Sequence, residues 1–183
     1  MTIAREPTMN ETLETIRKRR SVRDFTDQPV PRELIEQVVD AGIWAASGKN
    51  GQAPVVLAIT NPELVARLSD LNRRIGGWKE GFDPFYGGKV VLVVLARRDA
   101  AATYVYDGSL VLGNMMLAAE SLGLGSIWTH RAKEEFESEE GKAILAELGI
   151  EGDLEGIGHC VLGYADKPAA DIPRKPGRVF WAE

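Results

Sequence analysis

The stretch TIRKRRSVRDF, Thr15 to Phe25, decides how this chain is read. It holds five cations in seven residues, Arg17, Lys18, Arg19, Arg20 and Arg23, around one serine, in a chain whose net charge is −5. Upstream, Thr8-Met-Asn-Glu11 has the form of a capping box, and Met9, Leu13 and Ile16 follow at helical spacing. The spacing predicts a first helix from about Met9 to Lys18. The cations then sit at a helix C-terminus, where each offsets the macrodipole by a few tenths to ~1 kcal/mol. That accounts for Arg17 and Lys18 but not for the continuation RSVRDF, which alternates like an extended segment. In extended backbone, residues 19, 21 and 23 face one side. Two guanidiniums flanking a hydroxyl form a donor set suited to phosphate, because the arginine fork matches phosphate oxygens in pairs. Both readings stand at this point.

Composition sets the limits around that stretch. At 183 residues and 44% apolar content, the chain is long enough for one domain with a substantial core and too short for two ordinary ones. A single domain over residues 1–183 is expected. No window approaches 18 apolar residues, and MTIAREPTMNE lacks the apolar run of a signal peptide. A cytoplasmic protein with no membrane partner is the expectation. Cys160 is the only cysteine, so no internal disulfide forms, and His130 and His159 are the only histidines. A His/Cys metal centre is not expected. The 22 basic against 27 acidic residues oppose general nucleic-acid binding unless cations gather on one face.

The rest of the chain alternates helical and extended patterns. VPRELIEQVVDAGIWAAS carries Leu34, Ile35, Val38, Val39, Ile43 and Ala46 on a helical stripe and ends in the small polar loop SGKNGQ. PVVLAIT reads as a strand, and Asn61-Pro62 as the cap and first position of a helix through about Arg74. IGGWKEGFDPFYGG is a Gly-rich aromatic loop before KVVLVVLA, an apolar run that fits a buried central strand. A buried helix follows from roughly Tyr106 to Leu122, ending at Gly123. SIWTH reads as a short strand, EEFESEEGKAILAELG as one polar surface helix, and GIGHCVLGYA as a last strand before a Pro- and Arg-rich tail. GLGSIW and GIGHCVLG each begin like a dinucleotide fingerprint, but both lack the third glycine and the following helix. His159, beside Cys160 in an apolar strand, reads as a core histidine with a satisfied ring. Trp44, Trp78, Phe82, Phe85 and Tyr86 either line a substrate channel or bury themselves for area.

Four motifs in order form a recognisable pattern: RRSVRDF after the first helix, AASGKNGQAP after the second, LAAESLGLGSIW, and LGYADKPAADIPRKP near the end. Together they resemble the FMN-dependent nitroreductase superfamily over nearly the whole chain. The resemblance implies an α+β fold, with a mixed, largely antiparallel sheet flanked by helices. It further implies an intertwined homodimer with FMN at the subunit interface. Carried over by position, it implies that Arg19, Arg20, Ser21 and Arg23 hold the flavin phosphate and ribityl chain, with Arg174 and Lys175 returning to the phosphate from the tail. Ser47 and Asn50 match the family loop that approaches FMN from the other subunit, with Ala46 standing where proline is usual. Trp128, Thr129, His130 and Arg131 match the segment whose backbone donors sit near the flavin N5 and O4 edge.

Flavin carries the hydride chemistry itself, so no catalytic triad is required of the protein. The implied activity is a ping-pong transfer from NADH or NADPH to a small electron-poor acceptor such as a nitroaromatic or a quinone. His130 and Arg131 are the side chains that lie beside the implied reactive edge. Two other classes remain open from sequence: a flavin carrier or sensor without efficient turnover, and an interaction protein whose basic cluster meets an acidic partner.

Overall fold

The computed structural model of the chain describes residues 10–168 and 170–183. The elements run α1 Glu11–Lys18, α2 Arg32–Ile43, β1 Pro54–Ile59, α3 Pro62–Ile75, β2 Val90–Arg97, α4 Tyr104–Ser121, β3 Gly125–Thr129, α5 Ala132–Glu137, α6 Glu139–Glu147 and β4 Leu154–Gly163. A short 3-10 turn, Gly48–Asn50, lies between α2 and β1. The class is α+β, as the motifs imply.

Strand order in the sheet is β1-β2-β4-β3, and all three strand pairings are antiparallel. Among the described residues the expected mixed character survives only as a single parallel bridge, Ser21 to Ser126. β2 lies inside the sheet and is buried from Val90 to Ala96, and its alternation divides the core in two. Val91, Val93 and Leu95 face α3, α5 and α6, packing with Leu68, Phe136 and Ile144. Val90, Leu92 and Val94 face α2 and α4, packing with Val38, Val111 and Met115. Each such side chain contributes about 1.5–3 kcal/mol of burial, so the inner strands anchor the fold. In β4 the register slips beside Val94 and Leu95, leaving Ile157 as a bulge between Gly156 and Gly158.

Several expectations are corrected. The first helix is capped by Asn10, whose Oδ1 accepts from the Leu13 amide at 3.0 Å; the expected cap Thr8 and start Met9 lie outside the described residues. The segment expected as one polar surface helix is two. Ser138 is extended (φ −73°, ψ 157°) and caps α6 by accepting from the Gly141 amide at 3.0 Å. Nor is it all surface, since Glu135, Phe136, Ile144 and Leu145 are buried. The stretch 19–25 is extended as read, but it pairs only through isolated bridges.

Candidate functional site

The chain leaves α1 at Arg19 and crosses the sheet edge in extended form. Val22 and Phe25 are buried and anchor it. Its backbone is tied on both sides, with the Val22 amide donating to Ser126 O at 3.0 Å and the Thr26 amide to Tyr164 O at 2.9 Å. These ties leave Arg19, Ser21 and Arg23 lining one cavity of about 380 Å³, and the tail closes its far side with Lys167, Ile172 and Arg174. Among the described residues no ion pair engages Arg19, Arg23 or Arg174. Asp24, paired with Lys167, is the one carboxylate among the lining residues, so cations outnumber it and the wall suits an anion.

Arg20 lines the same cavity, where its Nε is buried without a hydrogen-bond partner among the described residues, while its terminal nitrogens are engaged elsewhere. Its guanidinium donates to the carbonyls of Arg17, Lys18 at 3.2 Å and Arg19 at 2.9 Å, which finishes the C-terminus of α1. It also pairs with the Asp171 carboxylate, and that hydrogen bond holds Asp171 below the usual carboxylate range. Arg20 therefore pins the start of the tail that delivers Arg174. Lys175 is exposed and does not line the cavity.

Ser47 and Asn50 lie in a separate loop and do not line the cavity either. Ser47 Oγ accepts from the Gln52 amide at 3.2 Å, and Asn50 Oδ1 accepts from Gln52 Nε2 at 3.1 Å. Lys49, Asn50 and Gln52 all adopt positive φ, a strained run that persists only where surroundings enforce it. The enforcing group is the buried Asp107 of α4, which accepts from the Gly48 amide at 3.1 Å.

At the far end of β3, Trp128 and His130 are exposed while Thr129 is buried. The Trp128 and His130 rings are 5.5 Å apart. Arg131 adopts left-handed backbone (φ 82°, ψ 9°) at the start of α5, and its guanidinium lies 4.4 Å above the Trp78 ring. This stack joins the 76–89 loop to the end of β3. Trp78 and Phe82 rings are 4.9 Å apart and Phe82 and Tyr86 rings 6.0 Å apart. Phe85 instead faces inward, fully buried against His159.

His159 is the satisfied core histidine expected, with Nδ1 3.1 Å from Thr129 O and Nε2 2.7 Å from Glu135 Oε2. Its partner Glu135, and Asn72 bonded in turn to Glu135, escape a reading of sequence. Glu135 stands among acidic neighbours, and only the phase of α5, with Ala132 and Phe136 on the same buried face, separates it from them.

Comparison with known proteins adds the last observations. The family model described as the nitroreductase family matches residues 16–76 and 77–164. A nitroreductase of Bacteroides fragilis crystallised with bound FMN is 27% identical and covers 95% of this chain and 100% of its own, with a TM-score of 0.85. A second, from Desulfitobacterium hafniense and also with bound FMN, is 26% identical over 96% of this chain and 100% of its own, with a TM-score of 0.84. An FMN reductase (NAD(P)H) of Bacillus subtilis is 28% identical over 65% of this chain and 53% of its own length. The chain spans between 53% and 60% of the first curated relatives it matches. With the family model running through every strand of the sheet and the helices on both its faces, the chain belongs to the nitroreductase family.

Proposed function

We propose that this chain is an FMN-dependent oxidoreductase, one domain acting as a cytoplasmic homodimer, that passes electrons from NADH or NADPH to small electron-poor acceptors. One observation carries the reading. Arg19, Ser21 and Arg23, at the start of the chain, share a single cavity with Arg174 of the tail, and these cations lack ion partners among the described residues. A phosphate monoester fits this donor set of guanidiniums around a hydroxyl.

Bound FMN would supply the redox chemistry, in a ping-pong sequence where the nicotinamide leaves before a nitroaromatic or quinone acceptor enters. The protein's part is to bind and orient. Arg19, Arg20, Ser21, Arg23 and Arg174 hold the phosphate, Arg20 through its unpartnered Nε while its terminal nitrogens hold the tail in place through Asp171. The His130 and Arg131 amides donate to no group among the described residues, which suits them to the polar edge of a flavin ring. Trp78, Phe82 and Tyr86 offer flat apolar faces to a planar acceptor. Ser47 and Asn50, held out on their strained loop, are assigned to the cofactor of the partner subunit, and the exposed Val179, Phe180 and Trp181 to the subunit interface. Lys175 has no assigned contact.

The experiment is spectroscopic. The purified chain should carry flavin absorbance that bleaches anaerobically with NADH or NADPH and returns with a quinone. A colourless protein that takes up no FMN refutes the reading, and a yellow protein that neither nicotinamide bleaches makes it a carrier.

A further inference from the structure

The carbonyls of Thr129, His130 and Arg131 are all engaged inside the fold. His159 Nδ1 lies 3.1 Å from Thr129 O, Asn72 Nδ2 donates to His130 O at 2.8 Å, and the Glu135 amide donates to Arg131 O at 2.9 Å. The three side chains behind them are joined to one another. Asn72 Nδ2 also donates to Glu135 Oε1, and Glu135 Oε2 meets His159 Nε2 at 2.7 Å. All three are wholly buried, and they come from α3, α5 and β4.

Proton placement follows from the partners. A carbonyl only accepts, so His159 Nδ1 carries a hydrogen and donates it to Thr129 O. One further proton lies between Nε2 and Oε2, so the pair has no net charge whichever atom holds it. Asn72 is oriented by the same logic, because turning its amide over would set Oδ1 against two acceptors. Its Oδ1 is left without a partner. Replacing a buried polar cluster by apolar side chains is often neutral or stabilising, so stability alone is a poor account of this one. What the cluster does hold is a single stretch of backbone.

A trans peptide points its C=O and N–H in opposite directions. Holding the Thr129 and His130 carbonyls inward therefore aims the His130 and Arg131 amides outward, and both are unpartnered among the described residues. Arg131 is kept in left-handed backbone by the same attachments. We propose that Asn72, Glu135 and His159 are positioning residues that aim the His130 and Arg131 amides at the bound flavin ring. This rests on the reading, given above, that the 128–131 segment faces the flavin.

The test uses full-length protein and three variants. Asn72→Leu cuts the tie to His130, and His159→Phe, which cuts the tie to Thr129, serves if Asn72→Leu does not fold. Glu135→Gln preserves the bonds, since its amide oxygen accepts from Asn72 and its nitrogen donates to His159 Nε2. On addition of FMN, the His130 and Arg131 amide proton resonances of the native protein should move downfield. In Asn72→Leu that movement should be lost, flavin reduction should slow by about tenfold or more at nearly unchanged KM for the nicotinamide, and the Arg23 resonance should respond to FMN as before. Glu135→Gln should retain both the resonance shifts and most of the rate. If the two amides move equally in native protein and Asn72→Leu, the positioning role is overturned while the placement of the segment stands. If they do not move in native protein, the placement itself is wrong and the proposal fails with it.

Discussion

Gly156→Ala tests how tightly the start of α5 is seated on the sheet. An added Cβ at Gly156 would lie 2.0 Å from the Ala132 carbonyl oxygen, 2.2 Å from its carbon and 2.8 Å from the Lys133 amide nitrogen. Ordinary contact begins at 3.4 Å, so the first turn of α5 has to retreat by about 1.4 Å. Every atom struck is backbone, and no rotamer change relieves the collision. Overpacking of this kind costs ~1–3 kcal/mol, and a backbone collision belongs at the upper end. For a chain of this size ~3 kcal/mol lowers the melting temperature by about 6–12 °C. The same retreat draws Glu135 away from His159, so the ring resonances of His159 should shift as well. The assay is thermal unfolding followed by circular dichroism, with Gly113→Ala as the control, because a Cβ there meets nothing within 4 Å and alanine is the better helix former by up to ~1 kcal/mol. A Gly156→Ala protein melting within about 2 °C of native would refute the packing argument.

Further outcomes are expected. Arg19→Ala or Arg23→Ala should weaken FMN binding by roughly 1.5–3 kcal/mol, the scale of one charge-assisted hydrogen bond, with riboflavin affected much less; equal losses for both flavins would remove these residues from the phosphate. Truncation after Asp171 should lose flavin and shift the protein toward monomer or aggregate in size-exclusion chromatography with light scattering, whereas Arg174→Ala should lose flavin affinity and stay dimeric; a truncated yellow dimer would contradict the role given to the tail. Burial pushes the Cys160 thiol up from 9.0 to about 12, against a weaker downward pull from Arg19. Since its folded pKa is the higher one, its contribution to stability is intact below pH 9.0 and declines above it by ~1.4 kcal/mol per pH unit up to the folded pKa. Urea melts should therefore weaken more steeply with alkaline pH in native protein than in Cys160→Ala, and parallel curves would contradict this.

The order of elements was legible in sequence because periodicity and caps coincide. Asn61 reads as a cap and is one, its Oδ1 accepting from the Leu64 amide at 3.0 Å, and KVVLVVLA reads as a central strand because both its faces are covered. Ser138 was not legible as a break, since a serine amid glutamates signals a cap only once the chain direction on each side is known. The basic stretch announced an anion site, but sequence could not show that Arg20, which shares the cavity with Arg19 and Arg23, also closes α1 and holds Asp171. That second attachment depends on which way its side chain leaves an extended backbone tied down by Ser126 and Tyr164. Asn72 carried no signal and Glu135 only the phase of α5, because their roles arise from the meeting of α3, α5 and β4.

A crystal structure of the FMN-loaded protein decides whether this cavity holds the flavin phosphate. Phosphate oxygens should lie within hydrogen-bonding distance, about 2.7–3.2 Å, of Arg19, Ser21, Arg23 and Arg174, with the Arg20 to Asp171 pair intact. A phosphate seated elsewhere, such as the groove between α3 and the 76–89 loop, with those guanidiniums still facing solvent, would contradict this placement.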